Sequence, residues 1–214
     1  ISSWIDSVAE DGRVHGRVLT LRTITGRMAY TSPNMAQVPA GYSPYGEECR
    51  SCWTVENKET HSLVGTDASG LELRGLAHFM NDQNFIKEVL DGDVHTANQK
   101  MAGLETRDQA KTFIYALMYG AGAAKIGSVV GGSSKEGEKL IQRFMKNMPK
   151  FNLLKRNLND AAMSGKIKGL DGRLLHIRSP HAALNTLIQG AGAVICKQWL
   201  VQMTDKIKQE GLDA

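Results

Sequence analysis

Arg107-Asp-Gln-Ala-Lys111-Thr-Phe-Ile-Tyr115-Ala-Leu-Met-Tyr119-Gly120 is the stretch whose reading decides the fold. It has strong helix formers throughout and no Pro or Gly before its last residue, so it predicts a helix that Thr106 caps and Gly120 ends. Arg107, Lys111, Tyr115 and Tyr119 recur every four residues. At about 100° per residue they drift only about 40° per step, which lines two cations and two phenols along one face. Arg107 to Tyr115 covers about 12 Å at the helical rise, a length suited to a nucleoside triphosphate with its phosphates at the cations and its base against the ring. Phe113, Ile114, Leu117 and Met118 form the opposite, apolar face, which predicts the packed side. A surface amphipathic helix with a cationic first turn meets the same description.

Upstream lies Ser62-Leu-Val-Gly-Thr-Asp67-Ala-Ser-Gly-Leu-Glu72-Leu-Arg74. Alternation places Leu63, Gly65 and Asp67 on one face of a strand and Val64 and Thr66 on the other, with Asp67 at the strand end before a turn at Ser69-Gly70 and a new helix. A carboxylate at a strand end is well placed for Mg²⁺, which takes few protein carboxylates and completes its shell with water and phosphates. A lone Asp there is more often a turn former.

Together the two stretches resemble a known family. Asp67-Ala-Ser-Gly-Leu-Glu-Leu-Arg74 is similar to motif A of the DNA polymerase I family (family A), and Arg107, Lys111, Tyr115, Tyr119 and Gly120 are similar to its motif B. Ala-His-Phe-Met80, Gly169-Leu-Asp-Gly-Arg173 and Arg178-Ser-Pro-His-Ala-Ala-Leu-Asn-Thr-Leu187 resemble in particular the replicative members found in T-seven-like bacteriophages. The resemblance runs over essentially the whole chain. It implies an α+β fold: a polymerase palm with a partial antiparallel sheet and helices, and mostly helical fingers. Residues 1–80 would be the first part of the palm, 81–184 the fingers around the 107–120 helix, and 185–214 the returning palm helix.

The resemblance also assigns roles. Asp67 and the Ala68 carbonyl would hold Mg²⁺, of which two ions are expected in the complete enzyme, and Asp67, Lys111 and Arg107 would be catalytic. Glu72, His95, Arg107, Lys111, Tyr115 and Tyr119 would bind the dNTP, with Glu72 excluding a ribose 2′-hydroxyl. His95 sits in Asp93-Val-His-Thr96, similar to a family motif, although a His near a helix start is more often a solvated or capping residue. Arg27, Asn34 and Gln37, in an irregular segment bounded by Pro33 and Pro39, would contact the primer-template duplex, as would Arg178, His181, Asn185 and Gln189.

His181, Asn185 and Gln189 recur every four residues among Ala182, Ala183, Gly190, Ala191, Gly192 and Ala193, in a helix expected over Ser179 to Val201. Carboxamides flanked by small residues let a duplex approach and can donate to minor-groove acceptors. Close helix packing around buried amides competes with that reading.

Composition agrees with a globular chain: 214 residues, 42% hydrophobic, no apolar run long enough to cross a membrane and no signal-peptide pattern. The net charge of +4 is uneven, −4 over residues 1–100 and +8 over 101–214, which suits an anionic partner for the second part and a metal for the first. Cys49, Cys52 and Cys196 form no zinc pattern and read as reduced thiols of a cytoplasmic protein, and the resemblance implies the cytoplasm of an infected bacterial host cell. The glycine-rich run after Gly120 matches neither a P-loop nor a dinucleotide fingerprint and reads as turns.

The remaining elements follow from local signals. Strands are expected over Val14–Arg22 and Cys49–Val55, and helices over Leu71–Met80, Asn84–Leu90 and Val94–Ala102, the last capped by Asp93. A basic helical region covers 135–164, and a hairpin pairs Lys166–Lys168 with Arg173–Arg178 about Leu170-Asp-Gly172.

The activity expected is template-directed DNA synthesis, with a dNMP passing from dNTP to a primer 3′-hydroxyl by a two-metal mechanism. A single-subunit RNA polymerase-like nucleotidyltransferase and a non-catalytic nucleic-acid-binding module are the rival classes. The family's second metal carboxylate lies in a His-Asp pair, and none of the six histidines here precedes an Asp. The chain is therefore expected to be palm and fingers cut short at both ends, stopping at Gly211–Ala214 in the helix end before the motif C hairpin, and inactive alone. Primer-template DNA and dNTP are the expected partners, with a host processivity factor such as thioredoxin acting through a thumb absent here, and no membrane.

Overall fold

The computed structural model describes residues 2 to 212, the side chain of Ser2 excepted, so Asp213 and Ala214 of the expected C-terminal stop lie outside the described residues. The chain separates into two compact units, Ile1–Thr23 with Arg27–Ser69, and Ile24–Gly26 with Gly70–Ala214.

The first unit is sparse in regular structure. It holds α1 (Ser2–Ile5), an antiparallel pair of β1 (Arg17–Leu19) with β2 (Ala29–Thr31), and α2 (Gly46–Ser51). In the pair Arg17 lies opposite Thr31 and Leu19 opposite Ala29. Trp4 meets Trp53 edge-on at 5.4 Å, and Arg13 pairs with Glu56 at 2.7 Å.

Three strand expectations are corrected here. Val14–Arg22 contracts to the three residues of β1, the length over which β2 supplies hydrogen-bond partners. Cys49 lies in α2 instead of a strand: Glu47 and Glu48 occupy its first turn, where the helix dipole favours acids, and Arg50 its last. Leu63–Asp67 forms no regular element. Leu63 and Val64 are both exposed, at 69% and 85%, and among the described residues no strand pairs with this segment. Alternation marks a strand only where a ladder partner and a covered face exist.

In the second unit the helical periodicity is realised closely. It comprises α3 (Leu71–Met80), α4 (Gln83–Leu90), α5 (Val94–Ala102), α6 (Arg107–Met118), α7 (Ala123–Val129), α8 (Ser134–Asn147) and α9 (Pro149–Ala162). The basic 135–164 region is two helices because Pro149 cannot continue α8 but is well suited to open α9. A hairpin of β3 (Lys166–Lys168) and β4 (Leu174–His176) follows, then a 3₁₀ turn at Pro180–Ala182 and α10 (Ala183–Gln209). This last helix extends past the expected end at Val201, with Lys206 and Lys208 in its final turn and Lys206 paired to Glu210 at 2.6 Å.

Apolar burial in this unit centres on Phe113, Phe144 and Phe151, fully buried and stacked edge to face at 5.3 and 5.4 Å. Leu76, Ile114 and Ile126 are equally inaccessible. Ile167 and Leu175, paired across the hairpin, are its buried face. They settle against α10 at Gly190, where a Cβ would stand 2.7 Å from a Leu175 methyl. No helix among the described residues is long and apolar enough to cross a membrane.

Candidate active site

The start of α6 is fixed by side chains on both sides of it. Thr106 accepts from the Gln109 backbone N–H at 3.1 Å, and Gln109 Oε1 accepts from the Thr106 N–H at 3.2 Å, a reciprocal cap. Gln99 of α5 donates to the Glu105 carbonyl at 2.8 Å and ties the helix entry to its neighbour. Ala110, Phe113, Ile114, Leu117 and Met118 are buried, as the periodicity requires. Arg107, Lys111, Tyr115 and Tyr119 therefore occupy the open side, the two cations exposed and Tyr115 half-buried.

Two neighbouring helices add to that side. His95, in the first turn of α5, lies 6.2 Å from Tyr115 ring to ring, and Tyr115 stacks on Tyr119 at 6.4 Å with 26° between planes. Burial pushes the His95 imidazole pKa down, the charges of Arg107 and Lys111 lower it further, and Asp93 opposes them. The imidazole is therefore held toward its neutral form, and its Nδ1 is buried without a hydrogen bond. The Tyr115 phenol is pushed up, first by burial and then by the charges of Glu72 and Tyr119. Glu72, half-buried in the first turn of α3, is thus close enough for its charge to reach Tyr115. Six expected dNTP residues, Glu72, His95, Arg107, Lys111, Tyr115 and Tyr119, come together from three helices.

The structure adds two connections that the sequence did not display. Asp93 caps α5 and also pairs with Arg107, Nε to Oδ2 at 2.7 Å and Nη2 to Oδ1 at 3.2 Å. Only its role as a cap was visible beforehand. At the other end of α6, Gly120 has φ of +78°, and a Cβ there would stand 2.6 Å from the His181 carbonyl oxygen. The close of α6 thus rests on the turn that opens α10. His181 is exposed on that turn, Arg178 is exposed just before it, and Asn185 and Gln189 follow on α10, partly buried. Asn185 Oδ1 is buried with no hydrogen-bond partner, so internal amide packing does not satisfy it.

The remaining candidates belong to the first unit. Arg27, Asn34 and Gln37 are exposed, and Asn34 Oδ1 accepts from the Ala36 N–H at 3.1 Å as the cap of the 3₁₀ turn at Met35–Gln37. Asp67 is exposed and Ala68 partly buried. Among the described residues no three of His, Cys, Asp and Glu gather as a metal site. One carboxylate and one carbonyl fit part of a magnesium shell, which takes one or two protein carboxylates with water and phosphates, but they do not make a two-ion site.

A mainly helical body with small antiparallel sheets, matching part of a larger polymerase domain, is the class of structure that results. The family model "DNA polymerase family A" matches residues 2–214, and the chain belongs to that family. The DNA-directed DNA polymerases of Enterobacteria phage T3 and Escherichia phage T7 are each 43% identical over 234 residues, covering 98% of this chain and 33% of those proteins. The thermostable DNA polymerase I of Thermus aquaticus is 27% identical over 237 residues, 98% of this chain and 28% of that protein. The POL domain of Pol1 from M. smegmatis, solved with DNA primer-template and dNTP, matches with a TM-score of 0.84 at 24% identity, over 99% of this chain and 41% of that one. That likeness shows the fold. The chain spans about a third of the length of its phage relatives.

Proposed function

We propose that these residues are part of the palm and the fingers of a DNA-directed DNA polymerase, with 1–80 and 185–214 in the palm and 81–184 in the fingers. The observation that carries this reading is the convergence of Glu72, His95, Arg107, Lys111, Tyr115 and Tyr119 on one open face whose reverse side is packed. The reaction is attack of a primer 3′-oxygen on the α-phosphorus of a dNTP, with the α–β bridging bond breaking and pyrophosphate leaving. Such transfer is mostly positioning and charge neutralisation.

On this reading Arg107 and Lys111 neutralise the β- and γ-phosphates, and Lys111 is the proton donor to the departing pyrophosphate. Neutral His95 donates a hydrogen bond to the phosphate tail. Tyr115 stacks on the nucleotide, and Glu72 beside it leaves no room for a 2′-hydroxyl. Asp67 and the Ala68 carbonyl would hold Mg²⁺, whose chemistry as two bound ions is to neutralise charge on the attacking and leaving oxygens. Arg27, Asn34, Gln37, Arg178, His181, Asn185 and Gln189 are the proposed contacts to primer-template. A processivity factor such as host thioredoxin is a partner of the whole polymerase's thumb. One metal carboxylate is too few for turnover, so the 214 residues alone are expected not to extend a primer.

The test uses the whole polymerase that carries this segment. Lys111→Ala is expected to lower kcat/KM for dNTP by about 10²–10³, the scale for losing one charge-stabilising donor. Glu72→Ala is expected to raise ribonucleotide incorporation. Unchanged kcat/KM in the first, together with unchanged sugar selectivity in the second, defeats the reading. A single-subunit RNA polymerase would show the reverse sugar preference.

A further inference from the structure

The carboxylate of Asp93 receives five hydrogen bonds. Oδ1 accepts from the backbone N–H of His95 at 3.1 Å, that of Thr96 at 3.4 Å and Arg107 Nη2 at 3.2 Å. Oδ2 accepts from the Thr96 hydroxyl at 2.8 Å and Arg107 Nε at 2.7 Å. One side chain thus joins the first turn of α5, which carries His95, to the first residue of α6, fourteen positions further on.

The geometry of the guanidinium is informative. Arginine has five N–H donors in a rigid plane, and pairing through Nε and one Nη2 hydrogen leaves three, both on Nη1 and one on Nη2. Those three point away from Asp93 in the same plane, a fork matched to phosphate oxygens. Both partners are about half exposed, at 51% and 44%, so the Coulomb attraction between them is screened and contributes little stability. What the pair does supply is a fixed rotamer for a long side chain that otherwise samples many.

We infer that Asp93 is a positioning residue for the triphosphate, holding Arg107 from behind while its cap fixes His95, so that both reach the phosphate tail together. This rests on the nucleotide site proposed above. It makes α5 and α6 one anion-binding unit, in which Asp93 never touches the nucleotide. The Arg107 guanidinium, more than any other group, holds the Asp93 carboxyl well below the usual carboxylate range, followed by the Thr96 hydroxyl, so the clamp is charged wherever a polymerase works.

The opposite role is a real alternative physically: a carboxylate beside the site could compete with phosphate for Arg107, and its removal would then tighten binding. The experiment separates them in the whole polymerase that carries this segment, by calorimetric titration of dGTP and of dGMP, each with magnesium. Asp93→Asn keeps a good capping side chain and removes the charge, and Asp93→Ser, another capping residue, answers the same question where the first melts. About tenfold weaker dGTP binding, with dGMP unchanged and no further loss in an Arg107→Ala background, is the expected result. A structural collapse of α5 would weaken both nucleotides alike. Unchanged or tighter dGTP binding, equal losses for dGMP, or a full tenfold loss without Arg107 each overturn the inference. Failure of the unaltered polymerase to bind dGTP at all would instead sink the nucleotide site itself.

Discussion

Gly120→Ala tests how the end of α6 is seated, and its cost can be worked from two terms. Gly120 sits at φ of +78°, where a residue with a Cβ costs roughly 1–2 kcal/mol. That Cβ would also stand 2.6 Å from the His181 carbonyl oxygen, a backbone atom that cannot rotate away, and forced overpacking costs about 1–3 kcal/mol. Reduced freedom of the unfolded chain returns about 0.4–1 kcal/mol. At mid-range the three terms leave a loss of about 3 kcal/mol.

Gly131 provides the control. Its φ is +68°, and a Cβ there meets nothing within 4 Å, so Gly131→Ala carries the backbone term alone, about 1 kcal/mol or less. Both variants are to be followed by urea unfolding and by melting temperature, with about 2–4 °C expected per kcal/mol for a chain of this size. Gly120→Ala should melt about 6–12 °C below the unaltered chain, and Gly131→Ala within about 4 °C of it. Equal shifts for the two would show that the His181 carbonyl does not press on this position, and that the seating of α6 on the α10 turn has been misjudged.

The cap and the imidazole give two smaller effects. Thr106→Ala removes half of the reciprocal cap and should cost about 1 kcal/mol, or about 2–4 °C of melting temperature. His95 has a folded pKa below its ordinary 6.5, so between the two values the unfolded chain binds the extra proton. Its contribution to stability is complete above about pH 6.5 and is lost as pH falls toward the folded pKa. Urea midpoints at pH 5, 6 and 7 should therefore decline toward acid, and His95→Gln should flatten that decline.

How much was legible beforehand depends on the range over which each signal acts. Helices α5 and α6 were readable because their caps, periodicity and terminators lie within a turn or two of the residues they govern, and α3, which has no side-chain cap, from its periodicity and the turn before it. The strand expectations at Leu63–Asp67 and Cys49–Val55 went wrong because a strand is defined by a partner elsewhere in the chain, and alternation by itself names none. The hairpin of β3 and β4 succeeded for the complementary reason: its partner is its neighbour, joined by a short glycine-containing turn.

The site divides in the same way. Four-residue spacing along one helix was enough to align Arg107, Lys111, Tyr115 and Tyr119, because helix geometry alone fixes which side chains share a face. That Glu72 and His95 join them was implied by the family resemblance and not by spacing; that Asp93 grips Arg107, and that Gly120 bears on the His181 carbonyl, came only with the folded chain. Those contacts join residues on different helices, and the packing of Phe113, Phe144 and Phe151 that brings helices together is non-directional. Burial rewards any arrangement that covers apolar surface, and the close fit of specific side chains selects one.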